Sequence, residues 1–220
     1  MANRRNILIG AGATAVAAMA GGTALLVGQT APALAADSFD LAKMLEPAGG
    51  VADHPLGSPD NKVVLIEYLS PTCPHCKDFA LNQFPALKTE YIDTNKIKFI
   101  PRPFMRNVLD AVVFMLAEAA GPELYHSVVD TYFKTQDQWV TAEKPSDAIF
   151  TIAQQFGFTR ETFDAALTNQ TLFNGLEAMR DQASNDYKLQ GTPTFYLNGT
   201  MYTGAYTSDG LKAAIDPLLG

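Results

Sequence analysis

Only two cysteines, three histidines and one tryptophan occur in the 220 residues, and basic side chains are the minority charge, 16 against 23 acidic. Each shortage excludes something. Two cysteines cannot build the disulfide-dense scaffold of a small secreted domain. They also confine any thiol redox or thiolate–metal chemistry to a single pair. A net charge of −7 argues against nucleic acid as a partner, because phosphate binding needs clustered Lys and Arg. Beyond the N-terminal segment there are no internal repeats and no low-complexity tracts, which removes solenoids and collagen-like arrays. With 47% hydrophobic and 18% charged residues the composition is globular, against wholesale disorder or a polytopic membrane protein.

The N-terminal segment is of a different kind. Arg4 and Arg5 precede an uncharged run, Asn6 to Thr30, built mostly of Ala, Gly, Leu and Val and followed by Ala33-Leu34-Ala35. Basic start, apolar middle and small-residue end are the parts of an export signal. Asn3-Arg4-Arg5-Asn6-Ile7-Leu8 resembles the twin-arginine form of that signal; a general secretory signal or an uncleaved anchor are the alternatives. The expectation is a signal peptide over 1–35 and a bacterial protein that is periplasmic or otherwise exported. Cleavage after Ala35 removes two basic and no acidic residues, leaving 185 residues and a net charge of −9.

The remainder predicts alternating elements. Asp37 to Gly50 is a short amphipathic opening, and Asp53 to Asn61 collects turn formers. Lys62 to Ser70 is an apolar, β-branched run, expected to be a strand covered on both faces. Pro74 to about Asp93 reads as a helix, and Ile97 to Phe104 as a second strand that Pro101 and Pro103 should end. Leu109–Ala120, Pro122–Lys134, Ser146–Phe156, Glu161–Leu167 and Thr171–Leu189 have helical apolar spacing, interrupted at Gly121-Pro122 and Gly157. Thr194–Leu197, Asn198-Gly199 and Thr200–Thr203 form a hairpin signal, and Ser208–Leu218 a final helix. Aromatic and Met residues such as Phe114, Tyr132, Phe163 and Met179 have core spacing in these helices. The order β-α-β, helices, β-β-α predicts an α/β domain interrupted by a helical insertion.

Both cysteines fall in Cys73-Pro74-His75-Cys76, between the first strand and the first helix. Two cysteines placed at random take this spacing about once in a hundred trials. Haem attachment requires His after the second Cys, where Lys77 stands. Zinc requires further ligands, and His54 and His126 are better explained as a loop residue and a packed helix residue. A structural disulfide closing so small a loop adds little stability. A redox dithiol is the remaining fit. Pro74 suits the first helical position, which makes Cys73 the N-cap. Its thiolate is then expected to accept N–H groups of His75 and Cys76, to meet the positive helix end, and to gain from a protonated His75. Its pKa should therefore fall below the ~8.5 of a free thiol. Cys76, one turn further in, should be buried and act as the resolving thiol. Glu67 shares a strand face with Val63, Leu65 and Leu69. It is either a buried carboxylate with a raised pKa, able to take a proton from Cys76, or an edge-strand Glu reaching solvent.

Pro71-Thr72-Cys73-Pro74-His75-Cys76, with Glu67 upstream and Gly191-Thr192-Pro193-Thr194-Phe195 near the end, resembles the DsbA-like thiol:disulfide oxidoreductases of the thioredoxin superfamily. The resemblance implies a thioredoxin fold interrupted by an all-helical insertion, with thioredoxin-like parts at 36–104 and 187–220 and the insertion at 105–186. It implies that Cys73 attacks or receives substrate sulfur, that Cys76 is its buried partner, that Pro74 and His75 tune the pair, and that Glu67 is the family's buried acid. Pro193 matches the cis-proline and, with Thr192, the substrate-binding loop. Thr192 departs from the aliphatic residue of the best-known enteric members and also resembles the disulfide isomerases. The isomerases, however, carry an N-terminal dimerisation domain for which this chain leaves no room before Val63, so a monomeric oxidase is expected. The implied partners are unfolded or newly exported cysteine-containing proteins and a membrane reoxidase like DsbB, with no cofactor beyond the Cys73–Cys76 disulfide and no metal. A reductase or isomerase working with the dithiol reduced is the alternative in the same class. A metallochaperone binding copper through Cys73, Cys76 and an imidazole is the alternative in another.

Overall fold

Strand β1 is Val64–Leu69, and all six of its side chains are buried, as an apolar run with two covered faces requires. The computed structural model describes residues 37–220; the expected export segment over 1–35 lies outside the described residues. Strand β2, Lys98–Pro103, pairs parallel to β1. Strands β3, Thr194–Leu197, and β4, Thr200–Met201, follow as an antiparallel hairpin, giving the order β2-β1-β3-β4.

β2 runs through Pro101 and ends at Pro103, so of the two prolines expected to end it only the second does. Its backbone parity explains this. Lys98 N–H donates to Val63 O (2.9 Å) and Phe104 N–H to Leu69 O (2.8 Å), so even-numbered amides face β1. Phe99 instead exchanges both backbone bonds with Leu56 on the outer side. Pro101 and Pro103 share the parity of Phe99, so their missing N–H groups fall on the sheet edge, where nothing in β1 needs them.

Asn198 and Gly199 close the hairpin with φ of 47° and 83°, the two positive values of a type I′ turn. Asn198 also pins the hairpin to the central strand: its side-chain oxygen accepts Val64 N–H (2.8 Å) and its own N–H donates to Val64 O (2.9 Å). Segment 37–39 covers the outer edge of β4, with Phe39 N–H on Gly199 O and Met201 N–H on Asp37 O.

The helix after Cys73 is not uniform. Helices α2 (Pro74–Asp78) and α3 (Phe84–Leu87) are joined by a π-turn, Phe79–Gln83, and a second π-turn, Lys88–Ile92, follows. Pro85 lacks an N–H and its ring would meet the carbonyl four residues back; Phe84 N–H reaches back five, to Phe79 O. Helix α1, Leu41–Met44, precedes the sheet.

Between β2 and β3 the chain is helical: α4 (Val108–Ala120), α5 (Pro122–Lys134), α6 (Gln136–Trp139), α7 (Pro145–Ala153), α8 (Arg160–Leu167) and α9 (Gln170–Asp186). α10, Ser208–Leu219, ends the chain. α6 has no counterpart among the sequence expectations, because a single turn is too short to show a period. Val64, Ile66 and Tyr68 pack with Met44, Tyr187 and Tyr196 on one face of the sheet. Leu65 packs with Phe79, Phe99, Phe195 and Leu211 on the other. A third cluster fills the inserted helices around Phe114, Tyr132, Trp139 and Met179, and both cysteines belong to it. Among the described residues no helix is long and apolar enough to cross a membrane.

Candidate redox site

The chain leaves β1 at Leu69, turns through Ser70–Thr72, and re-enters helix at Pro74, placing Cys73 at the N-cap as the sequence pattern requires. Cys73 N–H closes the turn on Ser70 O at 3.0 Å. Both cysteines are free thiols, and both are covered, Cys73 at 2% exposure and Cys76 at 0%. Pro74 and His75 between them are exposed.

The Cys73 side chain makes no cap hydrogen bond with the helix. Its Sγ donates instead to Thr192 O at 3.1 Å, across the turn, and the Thr192–Pro193 bond is cis. The Cys73 thiol is lowered to about 5. The Cys76 thiol hydrogen-bonding its sulfur is the largest cause and burial opposes it. The Thr192 hydroxyl, otherwise buried without a hydrogen-bond partner, and the backbone N–H groups of Cys76 and His75 add to the lowering. The helix end thus contributes, but less than the neighbouring thiol. The His75 ring is not among the causes; its Nδ1 pairs with Tyr206 OH at 3.0 Å.

Cys76 is pushed the other way, first by burial and then by its bond to Cys73 and the charge of Glu67. Its Sγ accepts Ser70 N–H at 3.5 Å. The pair is therefore asymmetric, one acidic sulfur near the surface turn and one weakly acidic sulfur beneath it.

Glu67 lies on the central strand between Pro101 of β2 and Phe195 of β3, only 4% exposed. Burial raises its carboxyl well above the ordinary range, and the Cys73 charge adds to this. Of the two readings open in the sequence, burial removes the solvent-reaching edge-strand one. Glu67 is among the residues lining a cavity of about 430 Å³, together with Phe79, Phe84, Phe99, Phe114 and Phe133.

Two side chains at the turn carry no sequence signal for the site. Asp110 is fully buried and accepts Ser70 OH and Thr72 N–H; Gln136 donates to the carbonyls of Pro71 and Cys73. The Asn107-x-x-Asp110 spacing identifies a helix start, but not that its carboxylate reaches a turn 38 residues away. His54 and His126 stand apart from the thiols, His54 on Glu118 (2.9 Å) and stacked on Tyr125. Among the described residues no three His, Cys, Asp or Glu side chains gather as a metal cluster.

Residues 50–217 match the family model described as thioredoxin. A relative in Rickettsia bellii, named provisionally as a protein-disulfide oxidoreductase, is 36% identical over 168 residues, 74% of this chain. The match spans 63% of that relative's length. The crystal structure of alpha-DsbA1 from Wolbachia pipientis is similar with a TM-score of 0.70 at 25% identity, covering 76% of this chain and 91% of its own. The protein-disulfide isomerase of Novosphingobium aromaticivorans is similar with a TM-score of 0.68 at 26% identity, covering 79% and 99%.

Proposed function

Because the chain belongs to the thioredoxin family, among its DsbA-like members, we propose that it is a thiol:disulfide oxidoreductase that passes the Cys73–Cys76 disulfide to thiol pairs in exported proteins. The observation that carries this reading is the asymmetry of the dithiol, with Cys73 lowered to about 5 and Cys76 raised. A thiol held at about 5, against 9.0 for an ordinary thiol, is thiolate at pH 7, and the preference for that form stabilises the reduced protein. A stabilised reduced form makes the disulfide a strong oxidant.

A substrate thiolate attacks Cys73 Sγ of the disulfide. The Cys73–Cys76 bond breaks, a substrate–Cys73 bond forms, and the electron pair leaves on Cys76, which takes up a proton. Glu67, whose buried carboxyl holds its proton more tightly than an ordinary carboxylic acid, is the proposed proton donor to Cys76 and its acceptor in the reverse step. A second substrate thiolate then attacks the substrate sulfur of the mixed disulfide, and Cys73 departs as a stable thiolate. The substrate is oxidised by two electrons and the enzyme is left as the dithiol. Thr192 and Pro193, across from Cys73 Sγ, present backbone to an extended substrate segment; Pro74 and His75 form the exposed rim the substrate meets. The cycle closes through a membrane reoxidase like DsbB. Export to the periplasm, action as a monomer, and oxidation rather than isomerisation are parts of the same proposal.

The reduction potential of the Cys73–Cys76 couple against glutathione tests it. A value far above the ~−270 mV of thioredoxin is expected, and one near it would assign the chain to reduction instead. Cys73→Ser should abolish oxidation of a reduced test protein, and Cys76→Ser should accumulate mixed disulfides.

A further inference from the structure

The backbone that carries Cys73 is gripped from the inserted helices, not from the sheet. Asp110, in the first turn of α4, is fully buried. It accepts Ser70 OH on both carboxylate oxygens (2.9 Å each), Thr72 N–H at 2.8 Å and Arg106 N–H at 2.8 Å. Gln136, which opens α6 and is 4% exposed, donates its amide to Pro71 O at 2.7 Å and to Cys73 O at 3.0 Å. The two side chains are complementary. A carboxylate takes the donors of the turn, and an amide N–H group takes its carbonyls. The same turn delivers Ser70 N–H to Cys76 Sγ at 3.5 Å and holds Cys73 Sγ against Thr192 O at 3.1 Å.

We propose that Asp110 and Gln136 are positioning residues of the dithiol, which fix the Ser70–Cys73 turn and thereby hold each sulfur on its partner. Neither hydrogen-bonds a sulfur, so both act through the backbone. A buried hydrogen-bonding side chain with no such role would contribute stability alone. A positioning role requires more, since thiolate stabilisation by fixed donors depends on their distance and direction. The inference rests on the thiol–disulfide reading of the site.

The test uses the full chain as Asp110→Asn and Gln136→Leu. Asn keeps the shape of Asp110 but turns an NH₂ toward donors, and Leu fills the Gln136 space without a donor. Two quantities are read: the pH midpoint of Cys73 thiolate absorbance in the reduced protein, and the rate at which the oxidised protein is attacked by a reduced peptide. In each folded variant the proton affinity of Cys73 should rise about tenfold, and attack should slow. Ser70→Ala should reproduce part of the Asp110→Asn shift. If either folded variant melts at a lower temperature while its Cys73 midpoint and exchange rate stay at the native values, the proposal is overturned. The Gln136→Leu result decides alone should Asp110→Asn not fold. The titration needs no substrate, so it stays informative if the unsubstituted protein fails to oxidise the peptide, a result that would remove the thiol–disulfide reading itself.

Discussion

At Glu67 a carboxyl stands on a strand whose other five residues are apolar or aromatic, and the pH dependence of the fold follows from it. Its carboxyl is raised by burial. A raised acid contributes stability that is complete below the ordinary carboxyl range and is lost as pH climbs through the raised value. Glu67→Gln is uncharged throughout, so its stability relative to the native protein should increase steadily as pH rises above the ordinary value of 4.5. Urea unfolding of the oxidised protein, in which neither cysteine titrates, checks this. Cys73 works in the opposite sense. Its lowered thiol contributes stability that is complete above the ordinary thiol value of 9.0 and is lost as pH falls through about 5. The reduced protein should therefore gain stability from pH 5 to 9, and its oxidised counterpart should not share that gain. A difference between the two forms that does not vary over this range would contradict the acidic Cys73. The Cys pair was legible in the sequence because spacing is a local property, whereas alternation gave Glu67 its strand face and left open whether a neighbouring strand covers it. The Thr192 carbonyl over Cys73, 119 residues away, was reached only through the resemblance, and the pairing of His75 with Tyr206, 131 residues away, was not legible at all.

Helices and strands were legible to within a few residues wherever a period could repeat. The failures have separate physical causes. Pro101 reads as a strand terminator until the hydrogen-bond parity of an edge strand is known. Pro85 reads as an acceptable residue in a long helix, and the wide turn it induces is a backbone adjustment that no apolar pattern encodes. α6 is one turn, and its two buried residues, Gln136 and Trp139, are not both apolar. The start of α4 illustrates what a local signal does contain. Asn107 caps it, accepting the N–H groups of Leu109 and Asp110, and also donates to Thr72 Oγ1 at 2.9 Å. Asn107→Ala should lower unfolding free energy by about 1–2 kcal/mol, measured as a smaller urea midpoint at unchanged slope.

Across the whole molecule, the sequence order predicted an α/β domain interrupted by inserted helices, the resemblance implied that its sheet is thioredoxin-like, and the fold has that form. It did not predict where the parts interlock, because those contacts join distant stretches. Arg102 is the clearest instance. It is fully buried, pairs with Asp53, and donates to Met44 O (2.6 Å) and Tyr68 OH (3.1 Å). One side chain thereby ties helix α1 and the loop at Asp53 to two strands. Arg102→Ala leaves a largely buried carboxylate and a carbonyl unpaired, and should cost about 3–5 kcal/mol, seen as a lower melting temperature in both redox states. A loss confined to one state would mean that Arg102 belongs to the redox site.

The hairpin that completes the sheet also sets how the protein ages. Asn-Gly is the dipeptide most prone to lose ammonia, because the glycine nitrogen can attack the asparagine side-chain carbon and form a cyclic imide. At Asn198-Gly199 that carbon is held in place, its oxygen fixed on Val64 N–H and its own backbone N–H on Val64 O. Chemical shelf life is therefore coupled to the integrity of the sheet. A folded sample should keep its charge on storage, while each excursion through the unfolded state exposes the one amide whose conversion would loosen the central strand.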